Sequence, residues 1–178
     1  EAGLALRLAD ILSRKRSARD RAKVGIEPDE LDVLKEAVLD VLRTGPKTTS
    51  ALRKSLSDGA IRSLGAVGKK VGISSTLPPS LRDLEFAGLI ERVPPRGSLD
   101  SERYLWRMPM KDLLEGVPES PRAVVTAVVD LLLRRAGPLT VDELCQFTGA
   151  GKRDVKGALN SLDAAEVAIE GHAPSAFL

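Results

Sequence analysis

A run of ten residues occurs twice in this chain. Leu39 to Thr48, LDVLRTGPKT, returns as Leu131 to Thr140, LLLRRAGPLT. Leu39, Val41, Arg43, Gly45, Pro46, Thr48 and Leu52 fall on Leu131, Leu133, Arg135, Gly137, Pro138, Thr140 and Leu144, each 92 residues apart. Further on, Leu81, Leu84 and Ala87 match Leu159, Leu162 and Ala165 at an offset of 78, so the first copy carries 14 extra residues between Leu52 and Leu77. Such a chain folds as two versions of one unit, and each unit must be small enough to occur twice in 178 residues.

Each copy reads as an amphipathic helix, a Gly-Pro stop, a capped short helix, a turn, a second buried helix and an extended hairpin-like segment. That order predicts a mainly α fold with small β-hairpin wings, a tandem winged helix-turn-helix. In the second copy Ser120-Pro121 opens the first helix, and Val124, Val128, Leu131 and Leu132 are expected to form its buried stripe. Thr140 with Glu143 has capping-box spacing, Gly149-Ala150-Gly151 supplies the turn, and a third helix is expected from Lys152 to Ala165 with Val155, Leu159 and Leu162 inward. In the first copy Leu31, Leu34, Val38 and Val41 form the first stripe. Thr76 to Pro78 opens a recognition-type helix buried through Leu77, Leu81 and Leu84, and Gly88 closes it. The expected division is 1–29 as a basic N-terminal helix and linker, 30–109 as the first winged helix with its insertion at 57–75, and 110–178 as the second.

Aromatic residues make up only 3% of the chain, so Leu, Val, Ile and Ala must build the cores. No run of 18 apolar residues occurs, so no membrane partner is expected. The single cysteine, Cys145, excludes an internal disulfide, which fits a reducing, cytoplasmic and nucleoid-associated setting, and its place beside Leu144 suits a packed thiol.

The net charge of +2 says little, but its distribution says more. Arg14, Lys15, Arg16, Arg19, Arg21 and Lys23 face the single carboxylate of Asp20, whereas Glu27, Asp29, Glu30, Asp32, Glu36 and Asp40 follow with only Lys35 among them. Separated charge of this kind orients a molecule on a polyanion, although a basic helix end also suits its own dipole. Arg14, Lys15, Arg16 and Arg19 are therefore candidate DNA contacts.

The insertion holds Gly65, Gly68 and Gly72 around Lys69-Lys70, which raises the question of a phosphate loop. The pattern G-x-x-x-x-G-K-[ST] would need glycine at Ser63 and Ser or Thr at Lys70, and Gly151-Lys152 fails in the same way. A small helical turn remains, with Ile61, Leu64, Val67 and Val71 expected inward and Lys69 and Lys70 outward, acting as packing or as a backbone clamp. Leu89 to Val93 and Arg103 to Met108 have the character of a wing hairpin with Pro94 to Gly97 at its tip. Arg92, Arg96 and Arg103 on it suit a phosphate or a minor groove, unless Asp100 and Glu102 pair with them; Tyr104 and Trp106 suit base stacking or the core. Ser80 and Arg82 on the recognition-type helix complete the first copy's candidates. In the second copy only Glu170 to Ser175 separates the two short strands, and Lys152, Arg153 and Lys156 are the candidate phosphate contacts. The first copy, with its longer wing, is expected to dominate binding.

At these residues the chain resembles a known family. The LG-x-x-GKK-x-G insertion at Leu64 to Gly72, the run STLPPSLRDLE at Ser75 to Glu85 and LDSERY at Leu99 to Tyr104 are similar to the middle of the AlkZ-like winged-helix DNA glycosylases, which unhook interstrand crosslinks. RRAGPLTVDELCQFTGAGKRDVKGAL, Arg134 to Leu159, resembles a later winged helix of that family. The resemblance covers most of the chain from about Glu30. It implies repair of alkylated or crosslinked bases, double-stranded DNA as partner, and no cofactor. It also implies a catalytic Gln-x-Gln motif in an earlier winged helix and a later β-rich domain. This chain has one glutamine, Gln146, and starts at Glu1, so the expectation is an internal piece of such a protein whose flanking domains lie elsewhere.

No other catalytic constellation stands out. His172 is the only histidine, so with Cys145 it cannot make a zinc set, and Ser74, Ser75 and Thr76 read as helix-cap material. The sequence thus predicts a duplex-DNA-binding module with no catalytic group of its own. A protein-interaction scaffold in a chromosome-organisation or polymerase complex and a transcription regulator are the alternatives. The scaffold predicts a large apolar patch and the regulator a symmetric dimer.

Overall fold

Thr48, Ser120 and Thr140 each begin a helix in the computed structural model of the chain, which describes residues 1–95, 104–168 and 175–178. The Thr48 hydroxyl accepts from Ala51 N at 3.1 Å, Ser120 Oγ from Ala123 N at 3.2 Å and Thr140 Oγ1 from Glu143 N at 3.2 Å. Each oxygen satisfies an amide that the first turn leaves without a partner. Glu143 reaches back to Thr140 N at 2.7 Å, completing the expected capping box. The chain is mainly helical with small antiparallel sheets and divides into two units, Arg14–Leu113 and Leu114–Leu178 with Glu1–Ser13. The long first helix, α1 (Ala2–Lys23), gives residues to both. No helix among the described residues is long and apolar enough to cross a membrane.

In the unit Arg14–Leu113, α2 (Pro28–Arg43), α3 (Thr49–Ser55), α4 (Gly65–Lys70) and α5 (Leu77–Phe86) are followed by the antiparallel pair β1 (Glu91–Val93) and β2 (Leu105–Arg107). Leu34, Val38, Leu42, Leu52, Leu77, Leu81, Leu84 and Ile90 close one core with Trp106, and Val41 packs at its edge. Trp106 pairs through its backbone with Lys47, which adds a third rung beside the hairpin, and its Nε1 donates to Thr49 Oγ1 at 3.0 Å. The largest aromatic ring is therefore core material. A smaller core, Val24, Ile26, Leu31 and Leu64 with Val71 and Ile73, lies under the insertion.

The other unit repeats the order: α6 (Pro121–Ala136), β3 (Leu139–Thr140), α7 (Val141–Thr148), α8 (Lys152–Leu162), β4 (Glu166–Val167) and β5 (Ala176–Phe177), with strand order β3-β5-β4. The repeat is visible in burial: Leu52 and Leu144 are both fully buried, as are Leu77 and Val155. Cys145 is half-buried against this core.

Two expectations about packing change. The buried face of α6 is Val124, Val125, Val129 and Leu133, not Val124, Val128, Leu131 and Leu132. Outside the polar stripe of Arg122, Thr126, Asp130 and Arg134 the apolar arc of α6 is so wide that periodicity could not select its buried edge. Packing aligns Val125, Val129 and Leu133 with Leu34, Val38 and Leu42, 91 residues apart. The buried register of the first helix thus differs by one residue from the Gly-Pro register. The third helix also ends at Leu162 rather than Ala165, because Asp163 adopts a left-handed conformation, φ 51°.

Candidate nucleic-acid interface

The insertion is tied at its base before it presents anything to solvent. Ser63 and Ser75 pair as an isolated bridge, Leu64 N donates to Ser74 O at 3.1 Å and Thr76 N to Arg62 O at 3.0 Å. Thr76 Oγ1 accepts from Arg62 N and Ser75 Oγ from Arg53 Nη2 at 3.3 Å. These hydroxyls hold the insertion closed; Thr76 stands at the N-cap of α5 as expected, but its hydroxyl makes no cap bond there and is bonded to Arg62 N instead. Arg62 extends the tie: its guanidinium donates to both carboxylate oxygens of Glu30, at 2.8 and 2.7 Å, and to Gly25 O at 2.7 Å. The Arg62 hydrogen bond holds the Glu30 carboxyl below its ordinary pKa, and Glu30 in turn raises that of Arg62. Gly68 packs so closely that a Cβ there would lie 2.1 Å from Ile73 O.

On the outside of this element Lys69 and Lys70 are exposed, and among the described residues neither has an ion-pair partner. No Asp or Glu occurs between Asp58 and Asp83, and the one cation of this stretch outside Lys69, Lys70 and Arg82, Arg62, is met by Glu30. Leu64, Ile61 and Val71 turn inward as expected, but Val67 does not: it is 56% exposed. Two further exposed cations, Arg53 and Lys54, belong to this region and escaped the sequence reading. Arg53 lies in the last turn of a short helix, 22 residues before Ser75, and only the fold brings the two together.

The recognition-type helix α5 offers little. Ser80 is fully buried and its hydroxyl donates to Thr76 O at 3.0 Å, so it leaves the set of candidate contacts. Asp83 receives both Nη groups of Arg21, and Glu85, 8% exposed, receives Arg92 Nε at 2.6 Å. Arg82 remains exposed. The Arg92 guanidinium also lies 5.5 Å from the Tyr104 ring centroid and 5.7 Å from that of Trp106, and those rings meet edge to face. Arg92 is thus engaged with Glu85 and two rings; Arg96, Asp100, Glu102, Arg103 and His172 lie outside the described residues.

On α1, Arg14, Lys15, Arg16 and Arg19 are all exposed; Arg16 Nε approaches Asp20 at 3.7 Å, as does Lys23 Nζ. On α8, Lys152 contacts Asp142 at 2.6 Å, which raises its pKa, while Arg153 and Lys156 are exposed without an ion-pair partner among the described residues. Among the described residues no group of three His, Cys, Asp or Glu could hold a metal ion.

A family model described as DNA glycosylase AlkZ-like matches residues 2–178. No curated protein and no solved structure matches the chain.

Proposed function

The chain belongs to the AlkZ-like DNA glycosylase family, and from that premise we propose that it is the duplex-holding part of a repair glycosylase, two winged helices at 30–109 and 110–178. The recurring order of helix, rung or strand, two helices and hairpin in each unit supports the winged-helix reading. The observation that carries the DNA reading is the carboxylate-free stretch around Lys69, Lys70 and Arg82, joined by the exposed Arg53 and Lys54. Such side chains replace counterions on phosphates and position a protein on the duplex without reading sequence.

In the chemical step, hydrolysis of the N-glycosidic bond needs a group that orients or activates water beside an extruded base. Gln146 is exposed on α7 with no second glutamine in the chain, so no residue here inherits the Gln-x-Gln role implied by the family resemblance. Lys69, Lys70, Arg53, Arg153, Lys156 and the α1 cations Lys15 and Arg19 would hold phosphates while the base is presented elsewhere.

The experiment is fluorescence anisotropy against alkylated duplex, plain duplex and single strand across a salt series, with base release followed at excess protein. Salt-dependent duplex binding without base release is expected. Failure to bind duplex at low salt would overturn the reading. Base release abolished by one substitution in this chain would show that it carries the catalytic group itself.

A further inference from the structure

Val67 stands exposed on an element that the fold has otherwise taken trouble to anchor. Leu64, Val71 and Ile73 pack inward, Gly68 admits no side chain against Ile73, and the Ser63 to Ser75 rung closes the base. On α4 the outward residues are Ala66, Val67, Lys69 and Lys70. By helical spacing Val67 is three residues from Lys70 and neighbours it on the helix surface, while Lys69, two residues on, extends the positive charge to another side of the same short helix. We propose that Val67 is a wedge that enters the duplex at an unstacked base step while Lys69 and Lys70 hold the flanking phosphates.

This inference rests on the reading of the chain as a duplex-binding module and adds a role to one side chain of it. Apolar wedges kink or open base steps when cationic neighbours hold the backbone on either side. A glycosylase must take its target base out of the stack, and the gap left behind is apolar and favours such a filler. Val suits the task because β-branching leaves it nearly one χ1 rotamer, so little side-chain freedom is lost on insertion. Three of the other exposed apolar groups sit in less suitable settings. Val33 lies beside Asp32 and near Glu36, an arrangement that repels phosphate, and the Leu12 side chain lies against Gly149. Phe147 is followed by Lys152, whose charge is met by Asp142.

The test uses the whole chain and a duplex carrying 2-aminopurine next to an abasic analogue, compared with the same duplex fully paired. Binding is read by anisotropy and unstacking by 2-aminopurine fluorescence. Val67→Ala and the near-isosteric Val67→Thr should lose the fluorescence rise. They should reduce the preference for the interrupted duplex roughly three- to tenfold, the worth of one or two methyl-sized groups leaving water. Their salt slope and melting temperature should match the parent, since the side chain is exposed. Lys69→Ala with Lys70→Ala should instead flatten the log-log salt slope by up to about 1.8 and keep the fluorescence rise at saturating protein. If the parent binds both duplexes and the Val67 variants keep its preference and fluorescence, the wedge is wrong while the duplex-binding reading stands. If the parent binds neither duplex, both fall.

Discussion

The two third helices, α5 and α8, occupy the same place in their units and face outward very differently. At the offset of 78, buried Leu77, Ser80 and Leu81 of α5 correspond to buried Val155, Ala158 and Leu159 of α8. The outward positions diverge. Where α8 exposes Arg153 and Lys156, the first copy has Ser75, buried and bonded to Arg53, and Pro78. Further along α5, Asp83 and Glu85 are occupied by Arg21 and Arg92. In the first copy part of the helix face is engaged in holding α1 and the hairpin, and apart from Arg82 its exposed cations sit on α3 and the insertion. One scaffold thus presents charge from a helix in one copy and from an inserted element in the other. Inward conservation of the repeat says nothing about which face meets a partner.

The equivalence of the two scaffolds can be broken most strongly in their cores. Leu52→Ala and Leu144→Ala truncate side chains that are both fully buried at matched positions. Each should cost about 2–5 kcal/mol of unfolding free energy in a urea titration, by lost burial and by the cavity left behind. A loss below about 1 kcal/mol for one of them would mean that its site collapses and that the two cores are not equivalent.

The next contrast lies between Arg92 and Lys156. Arg92 was expected at the DNA surface from its place on the wing, yet it holds the nearly buried Glu85 carboxylate and stacks near Tyr104 and Trp106. Arg92→Ala should therefore lower unfolding free energy by roughly 1–3 kcal/mol, because it leaves a charged acceptor with poor access to water. It should change the salt dependence of duplex binding little. Lys156→Ala should do the reverse, leaving the melting temperature in place. A large loss of affinity from Arg92→Ala at unchanged stability would return this arginine to the interface.

What the sequence made legible follows from how local the cause was. Capping at Thr48, Ser120 and Thr140, the buried stripe of α5 and the tie of two copies at Leu52 and Leu144 depend on neighbours in sequence, and they stand as read. The α6 face did not, because apart from Thr126 and Asp130 the run Val124 to Leu133 is apolar, and only the partner elements select the buried edge of so wide an arc. The bonding of Ser80 and Arg92 was not legible for the same reason. Their partners, Thr76 O for one and Glu85 with two rings for the other, are set by how α5 meets its surroundings. Val67 is expected inward from helical periodicity, but Leu64, Gly68 and Val71 take the packed side of the six-residue α4 and leave Val67 exposed. Arg53 carried no local signal at all.

A smaller effect separates the two helix surfaces in salt. Arg153→Ala with Lys156→Ala removes two exposed cations from α8 and should flatten the log-log slope of duplex binding by up to about 1.8. Arg82→Ala, the one exposed cation of α5, should flatten it by no more than about 0.9. The measurement is the anisotropy titration repeated from low to moderate salt. Equal changes from the double and the single variant would mean that α5 is as engaged as α8 and would remove the asymmetry drawn above.

The weakest contrast concerns pH, and it takes opposite signs in the two units. In the first, Arg62 lowers the pKa of Glu30, so the folded state binds that proton less readily than the unfolded chain. The stabilisation is complete above the ordinary glutamate range, about 4.3, and is lost as pH falls through the depressed folded value. In the second, Asp142 raises the pKa of Lys152 above its ordinary 10.5. That contribution is complete below the unfolded value and is lost as pH rises through the folded one. Both pairs are well exposed, so the shifts in melting temperature should be small. Arg62→Ala should melt lower than the parent near neutral pH, and the gap should narrow on acidification but stay unchanged towards pH 10. Lys152→Ala should show its gap at neutral pH and lose it only on the alkaline side. An Arg62→Ala gap that persists undiminished well below pH 4 would assign the effect to the bond with Gly25 O, which does not titrate, rather than to Glu30.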